Sequence, residues 1–302
     1  ALKRALFSLK HAYLNGLHEA LPEPHASLAG GITVGAKEAL GEDLLQTFRT
    51  AGVIHIVVLS GYNITIIAET IGKAVAFLPR MFGLGLSALS IILFAVMTGA
   101  GATIVRASLM ALLVLLARAT GRVSEIATAL FVAAFLMLLL NPHILAFDPA
   151  FQLSFLATIG LLFVAPCIEK FFLWLPAGWG IREAAIATLA TQIFVLPALV
   201  YTMGEFSVVA FAANLLILPL VPLSMLFSFL TAITSILPVI VSVPFASVAW
   251  ALLQYELWIP NFFASLPFAS VALSINWIGL AVIYLVLILG LWRMKKRANL
   301  KN

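Results

Sequence analysis

The stretch GVIHIVVLSGYNITIIAETIGKAVAFL, residues 52–78, decides how this chain is read. A helical membrane span takes about 20 apolar residues to cross a hydrocarbon core of about 30 Å, and this run meets that length. Yet it carries Ser60, Gly61, Asn63, Thr65 and Glu69. His55, Tyr62 and Glu69 recur at intervals of seven, so a helix places them on one stripe with Leu59, Asn63 and Ile66 alongside. One face of the span is therefore wet or packed against a partner. The Ser60–Gly61 pair is able to kink or break the helix, and freed backbone groups are tolerated at membrane depth only against protein or a water-filled cavity. Two readings stay open: neighbouring helices satisfy the kink, or the polar groups line a cavity. The second is favoured once His55, Asn63 and Glu69 are counted together, since each polar group in hydrocarbon is costly unless paired or hydrated.

The rest of the chain has the same character. Of its 302 residues 63% are hydrophobic and 10% charged, with mean hydropathy +1.14, which excludes an ordinary soluble domain. Long unbroken apolar runs without dyad alternation exclude a membrane barrel and leave an all-α polytopic bundle. Cys167 is the single cysteine, so no intramolecular disulfide and no thiolate cluster forms. The N-terminal stretch ALKRALFSLKHAYLNGLHEALPEP lacks the apolar core of a signal peptide, and starting at Ala1 it reads as a trimmed chain or a fragment.

Three segments follow. Residues 1–50 are mixed in polarity, with one amphipathic helix expected before Pro22 and Pro24 and another over GEDLLQTFRTAG, and are placed at the outer membrane surface. Residues 51–292 form the membrane domain, with nine spans expected near 52–78, 84–100, 103–119, 125–141, 150–168, 184–203, 206–221, 223–240 and 272–292. The stretches 171–183 and 241–268, punctuated by proline and interfacial tryptophan, are expected to lie along the inner and outer interfaces. Residues 293–302 form a basic tail. Lys73, Arg80, Arg118, Arg122, Lys170, Arg182 and the tail fall on one set of loops and the alternate loops carry no Lys or Arg, which puts the tail in the cytoplasm and the N-terminus outside.

Further polar groups punctuate the later spans. In MTGAGATIVRASLMALLVLLARATGR, residues 97–122, Gly99, Gly101 and Thr103 form a flexible entry to a helix whose first turns hold Arg106 and Ser108. Free N–H groups, the positive end of a helix dipole and a guanidinium near one point suit an anion, above all a phosphate. The competing reading is an arginine snorkelling to headgroups. Asp148 and Pro149 in LAFDPAFQLSFLATIGL read as cap and first turn of a helix, followed by Gln152 and Ser154 on different faces. Gln192 with Thr188, and Asn214 in AANLLILP, are amides at membrane depth, where interhelical hydrogen bonding is the usual use, and Pro197, Pro219 and Pro222 add kinks. The five histidines never take a metal-ligand spacing, and no nucleotide loop or nucleophile elbow is present, so no cofactor, metal or catalytic residue is expected.

Four ordered blocks, AGVIHIVVLSGYNITII, TGAGATIVRASLMALL, NPHILAFDPAFQLSFLATIGLL and QIFVLPALVYTMGEFSVVAFAANLLILPLVP, make the chain resemble the competence domain of the ComEC family, inner-membrane channel proteins of bacterial DNA uptake. The family often shows His after its SG pair, where Asn63 keeps a hydrogen-bonding group but not a titratable one. The resemblance implies passage of single-stranded DNA through the bacterial cytoplasmic membrane during natural transformation, with a DNA receptor, an extracytoplasmic nuclease and a cytoplasmic helicase or motor as partners. Residues 1–50 are too short for the OB-like barrel that many members carry, and no HxHxDH-type run of a metallo-β-lactamase-like domain follows the last span, so the channel part is expected here.

The expectation is a non-enzymatic channel subunit in the lipid bilayer. A strand crossing about 30 Å places at most about nine phosphates in the membrane at about 3.4 Å each. Apart from Lys73 and Arg118 near span ends, Arg106 is the one Lys or Arg placed inside a span, so the path must be a hydrated groove that binds weakly enough to release. His55, Ser60, Gly61, Asn63, Glu69, Arg106, Ser108, Gln152, Ser154, Gln192 and Asn214 are the polar groups expected along it, with Gly99 and Gly101 at the helix entry. The alternatives are a permease for a small organic or phosphorylated anion, and a structural subunit whose polar residues hold helices together.

Overall fold

Apolar segments that must satisfy every backbone N–H and C=O internally become helices, and the described residues are all-α apart from one two-stranded ribbon. The computed structural model describes residues 2–57, 61–121, 125–175 and 180–299. Its N-terminal part holds α1 (Leu2–Ala20), α2 (His25–Val34), α3 (Glu42–Thr50), α4 (Ile54–Val57) and α5 (Gly61–Ala74). The middle holds α6 (Arg80–Met97), α7 (Ala102–Thr120), α8 (Ile126–Leu140), α9 (Ile144–Phe147), α10 (Pro149–Phe163), α11 (Ala165–Ile168) and α12 (Ile181–Met203). The last part holds α13 (Ala210–Ile217), α14 (Val221–Thr234), α15 (Val239–Ala264) and α16 (Trp277–Asn299). Strands β1 (Glu205–Ser207) and β2 (Ser270–Ala272) pair antiparallel, with Phe206 opposite Val271.

Among the described residues three helices are long and apolar enough to cross a membrane: Arg80–Met97, Ile181–Met203 and Ile240–Ala264. Two bent pairs, Pro149–Phe163 with Ala165–Phe172 at 42° and Ala210–Ile217 with Val221–Thr234 at 50°, raise this to five if each pair is one span. Ala102–Ala117, Ile126–Leu140 and Trp277–Arg293 are shorter apolar helices. Among the described residues the helices therefore do not confirm the nine full-length spans expected from the sequence. The eight residues of α13 rise only about 12 Å, too short to cross alone. Pro219 lies in the turn between the two helices and lacks the N–H that would continue α13, while Pro222 stands in the first turn of α14, where a missing N–H is tolerated.

The stretch 241–268 differs more sharply from expectation. Instead of a surface helix it yields α15, a continuous 26-residue helix with Pro244 and Pro260 inside it, whose Ala249, Leu253 and Leu257 are buried in the largest core cluster. Its punctuating polar residues are paired across helices: Gln254 with His25 and Glu256 with Ser224.

At the centre of that cluster lies α2, all ten of whose residues are buried, with α1, α14 and α15 packed around it. Glycines let neighbours approach: a Cβ on Gly30 would meet the Leu14 side chain at 2.8 Å, and one on Gly31 would meet Val57 at 3.1 Å. The helix ends at Gly35, whose φ of 70° is left-handed, and the N–H groups of Gly35 and Ala36 donate to the Gly31 and Gly30 carbonyls at 3.1 Å each. This is the usual glycine stop of a helix. A helix this short cannot span a bilayer, so its polar ends are closed by protein contacts.

The second half of the bundle packs α7, α8, α10 and α12, with Phe151 and Phe155 of α10 filling the space beside Leu130 and Met137 of α8. Gly160 lets α10 cross α12 closely, since a Cβ there would stand 2.5 Å from the Ala190 carbonyl oxygen. The Tyr284 hydroxyl of α16 donates to the Phe194 carbonyl of α12 at 2.8 Å. The outer faces of α6, α8 and α16 expose Phe82, Phe131, Leu140 and Val286, the surface of a protein solvated by lipid. By contrast α1 exposes Lys3, Arg4, Ser8 and His11.

Candidate functional site

Arg106 stands in the second turn of α7 and is buried, with 8% of its surface exposed. Two hydroxyls one turn apart on α10 hold its inner edge. Nε donates to Ser154 Oγ at 2.7 Å, and Nη1 donates to Thr158 Oγ1 at 2.8 Å. Nη1 also lies 3.3 Å from the Met110 sulfur, and the guanidinium carbon sits 5.9 Å from the Phe155 ring centroid, within cation–π range. Among the described residues no carboxylate lies within 4.0 Å of it. The charge is thus solvated by neutral hydroxyls and a ring, and is not cancelled.

The remaining nitrogen, Nη2, faces α5. A Cβ on Gly61 would stand 2.5 Å from it, so any larger residue there would push the guanidinium from this position. Nη2 has no hydrogen-bond acceptor among the described residues. Burying a guanidinium costs several kcal/mol unless its hydrogens and charge are met. An arginine clamped on two nitrogens and open on the third is arranged to receive an acceptor beside the first turn of α5.

The other residues singled out in the sequence take distinct places. Asn63 is 1% exposed and its Nδ2 donates to the Ile32 carbonyl of α2 at 2.9 Å, fastening α5 to the buried helix. Asn214 is also buried, and its Nδ2 donates to the Ala210 and Gly52 carbonyls at 2.8 and 3.3 Å. Gln152 donates to the Leu145 and Ala146 carbonyls at 2.9 and 3.1 Å and so ties the end of α9 to α10. Asp148 caps α10, accepting from the N–H groups of Ala150 and Phe151 at 2.9 and 3.2 Å, with Pro149 behind it. Ser108 is buried and its hydroxyl has no partner among the described residues, Gln192 is half-buried on α12, and His55 and Glu69 are exposed. Gly99 has φ 94° in the turn before α7, and Gly101 directly precedes that helix. Ser60 falls outside the described residues. Of the expected set the structure gathers Gly61, Arg106 and Ser154 at one point and distributes the others.

Two partners of Arg106 were not singled out in the sequence, Thr158 and Met110. The signal for Thr158 was its spacing, four residues after Ser154, which stacks two hydroxyls on one face of α10. A second polar group also went unassigned: Glu256, 1% exposed, accepts from the Ser224 hydroxyl at 2.6 Å.

This is the site of a polytopic helical membrane protein that keeps an uncancelled cation in its interior. The chain belongs to the Competence protein family, which its residues 32–297 match. Over 223 residues it is 24% identical to ComE operon protein 3 of Bacillus subtilis (strain 168), an alignment that takes in 72% of this chain and 27% of that protein. The chain thus spans about a quarter of that relative's length. No solved structure matches it.

Proposed function

We propose that the chain forms the part of a DNA-uptake machine through which one strand of DNA crosses the bacterial cytoplasmic membrane, acting as a conduit and not as an enzyme. Membership of the Competence protein family supports a part in DNA uptake. The observation that carries the finer reading is Arg106, a buried guanidinium held by Ser154 and Thr158 with one nitrogen left facing Gly61. A phosphate is the natural acceptor for such a group. One cation against about nine phosphates in transit guides a strand without trapping it. A hydrated, polar-lined path carries the remaining charges.

In this reading the N-terminus lies outside and the basic tail lies in the cytoplasm, the orientation that the distribution of Lys and Arg between alternate loops favours. A receptor and a nuclease deliver the strand from outside, and a cytoplasmic motor receives it.

The test is Arg106→Ala in a deletion strain rescued by this gene. Transformation should fall at least about tenfold, the effect of removing one charge-assisted contact of about 1.5–3 kcal/mol. DNA bound at the cell surface should be unchanged. Full transformation by a variant present at normal level would remove the guiding role. A variant that blocks uptake of a small phosphorylated anion while leaving transformation intact would favour the permease.

A further inference from the structure

A second polar site lies away from Arg106, in the contact between α14 and α15. Glu256 is 1% exposed. Its Oε1 accepts from Ser224 at 2.6 Å, while its Oε2 is buried without any partner among the described residues. Ser224, Ser228 and Thr231 recur at four and three residues along α14, one stripe of a helix, and all three are fully buried. The hydroxyls of Ser228 and Thr231 are likewise unpartnered.

Charge balance sharpens the anomaly. Helices α13 and α14 carry no ionisable side chain. Of the other elements packed on α15, α2 brings His25, whose Nε2 lies 2.8 Å from Gln254 Oε1. From α1 come Tyr13, with Lys3, Arg4, Lys10, His11, His18 and Glu19, and from α3 come Glu42, Asp43 and Arg49. Among the described residues none forms an ion pair with Glu256. A carboxylate in such a place must be neutralised by what it binds.

We propose that Glu256 is the anchor of a binding site for one small monovalent cation, a proton or a sodium ion, at the α14–α15 contact. The charge fits one such ion: a single carboxylate offers one negative charge. The donors are oxygen, which suits a hard cation and not a transition metal, and one carboxylate with the Ser224 hydroxyl falls short of the oxygen-rich shell of calcium. Ser224 fixes the carboxyl orientation, and the unpartnered Oε2 is the acceptor. This inference is independent of the DNA path, so its failure leaves that proposal standing.

A ligand that binds the folded protein raises Tm as its concentration rises. Thermal unfolding of the whole chain in detergent is measured for wild type and Glu256→Gln, a neutral isostere. Sodium is exchanged for choline at constant ionic strength in one arm, and pH is varied without sodium in the other. Wild type should gain several degrees relative to Glu256→Gln as sodium rises if the ion is sodium, or as pH falls if it is a proton. A gap between the two proteins that stays constant across both arms would overturn the site. Should Glu256→Gln not accumulate, Glu256→Asp serves: it keeps the charge but draws back from Ser224, so the midpoint of the dependence should move, and an unmoved midpoint is equally contrary.

Discussion

At the scale of single residues, two buried polar side chains do different work. Asn63 closes a hydrogen-bond account. The Ile32 carbonyl is near the end of a helix buried on all sides, and the Asn63 amide reaches it at 2.9 Å. Asn63→Leu should therefore destabilise the protein by about 1–3 kcal/mol, the cost of a buried acceptor left unmet. Thermal unfolding in detergent measures this, and an unchanged Tm would show that the carbonyl finds another donor. Arg106 differs in kind. Its Nε and Nη1 are met by Ser154, Thr158 and Met110 but its charge is not, so the residue is costly to the fold, a cost that the proposed meeting with a phosphate would offset.

At the scale of elements, the position of Arg106 is set by a helix that it does not belong to. Ser154 and Thr158 ride on α10, and α10 is seated by the close approach of Gly160 to the Ala190 carbonyl of α12. Gly160→Ala brings a Cβ to 2.5 Å of that backbone oxygen, so the two helices must part. Overpacking of this sort costs about 1–3 kcal/mol. Transformation should fall with stability, and Gly160→Ala should lose uptake even where its amount in the membrane equals wild type. Normal uptake and normal Tm together would show that the crossing yields without moving the two hydroxyls. Gly61 has the opposite tolerance, because the atom that a Cβ would meet there is the far end of the Arg106 side chain itself.

At the scale of the whole molecule, composition was enough to read a membrane-embedded helical protein, and four ordered blocks were enough to read the Competence protein family. The number of crossings was harder to read, for a physical reason. Hydropathy sees apolar length, and both α13 and α14 are apolar, but a 50° bend at a short break separates them, which hydropathy does not register. The same measure missed α15, because Gln254 and Glu256 look like surface residues until partners 229 and 32 positions away are known. The buried α2 was illegible too: ten residues are too few to signal a span, and its central place is decided by helices at the far end of the chain. Long-range pairing is the part of a fold that local pattern does not carry.

The central claim is that the incoming strand passes beside Arg106, and photo-crosslinking during uptake tests it most directly. A photoreactive residue is placed at Met110 or Thr158, both in contact with the guanidinium, and a control is placed at Leu285, which α16 exposes on its outer face. With labelled DNA entering competent cells, adducts should form at 110 and 158 while uptake is in progress and be absent at 285. Adducts at 285 with none at 110 or 158, in cells that transform normally, would contradict the account.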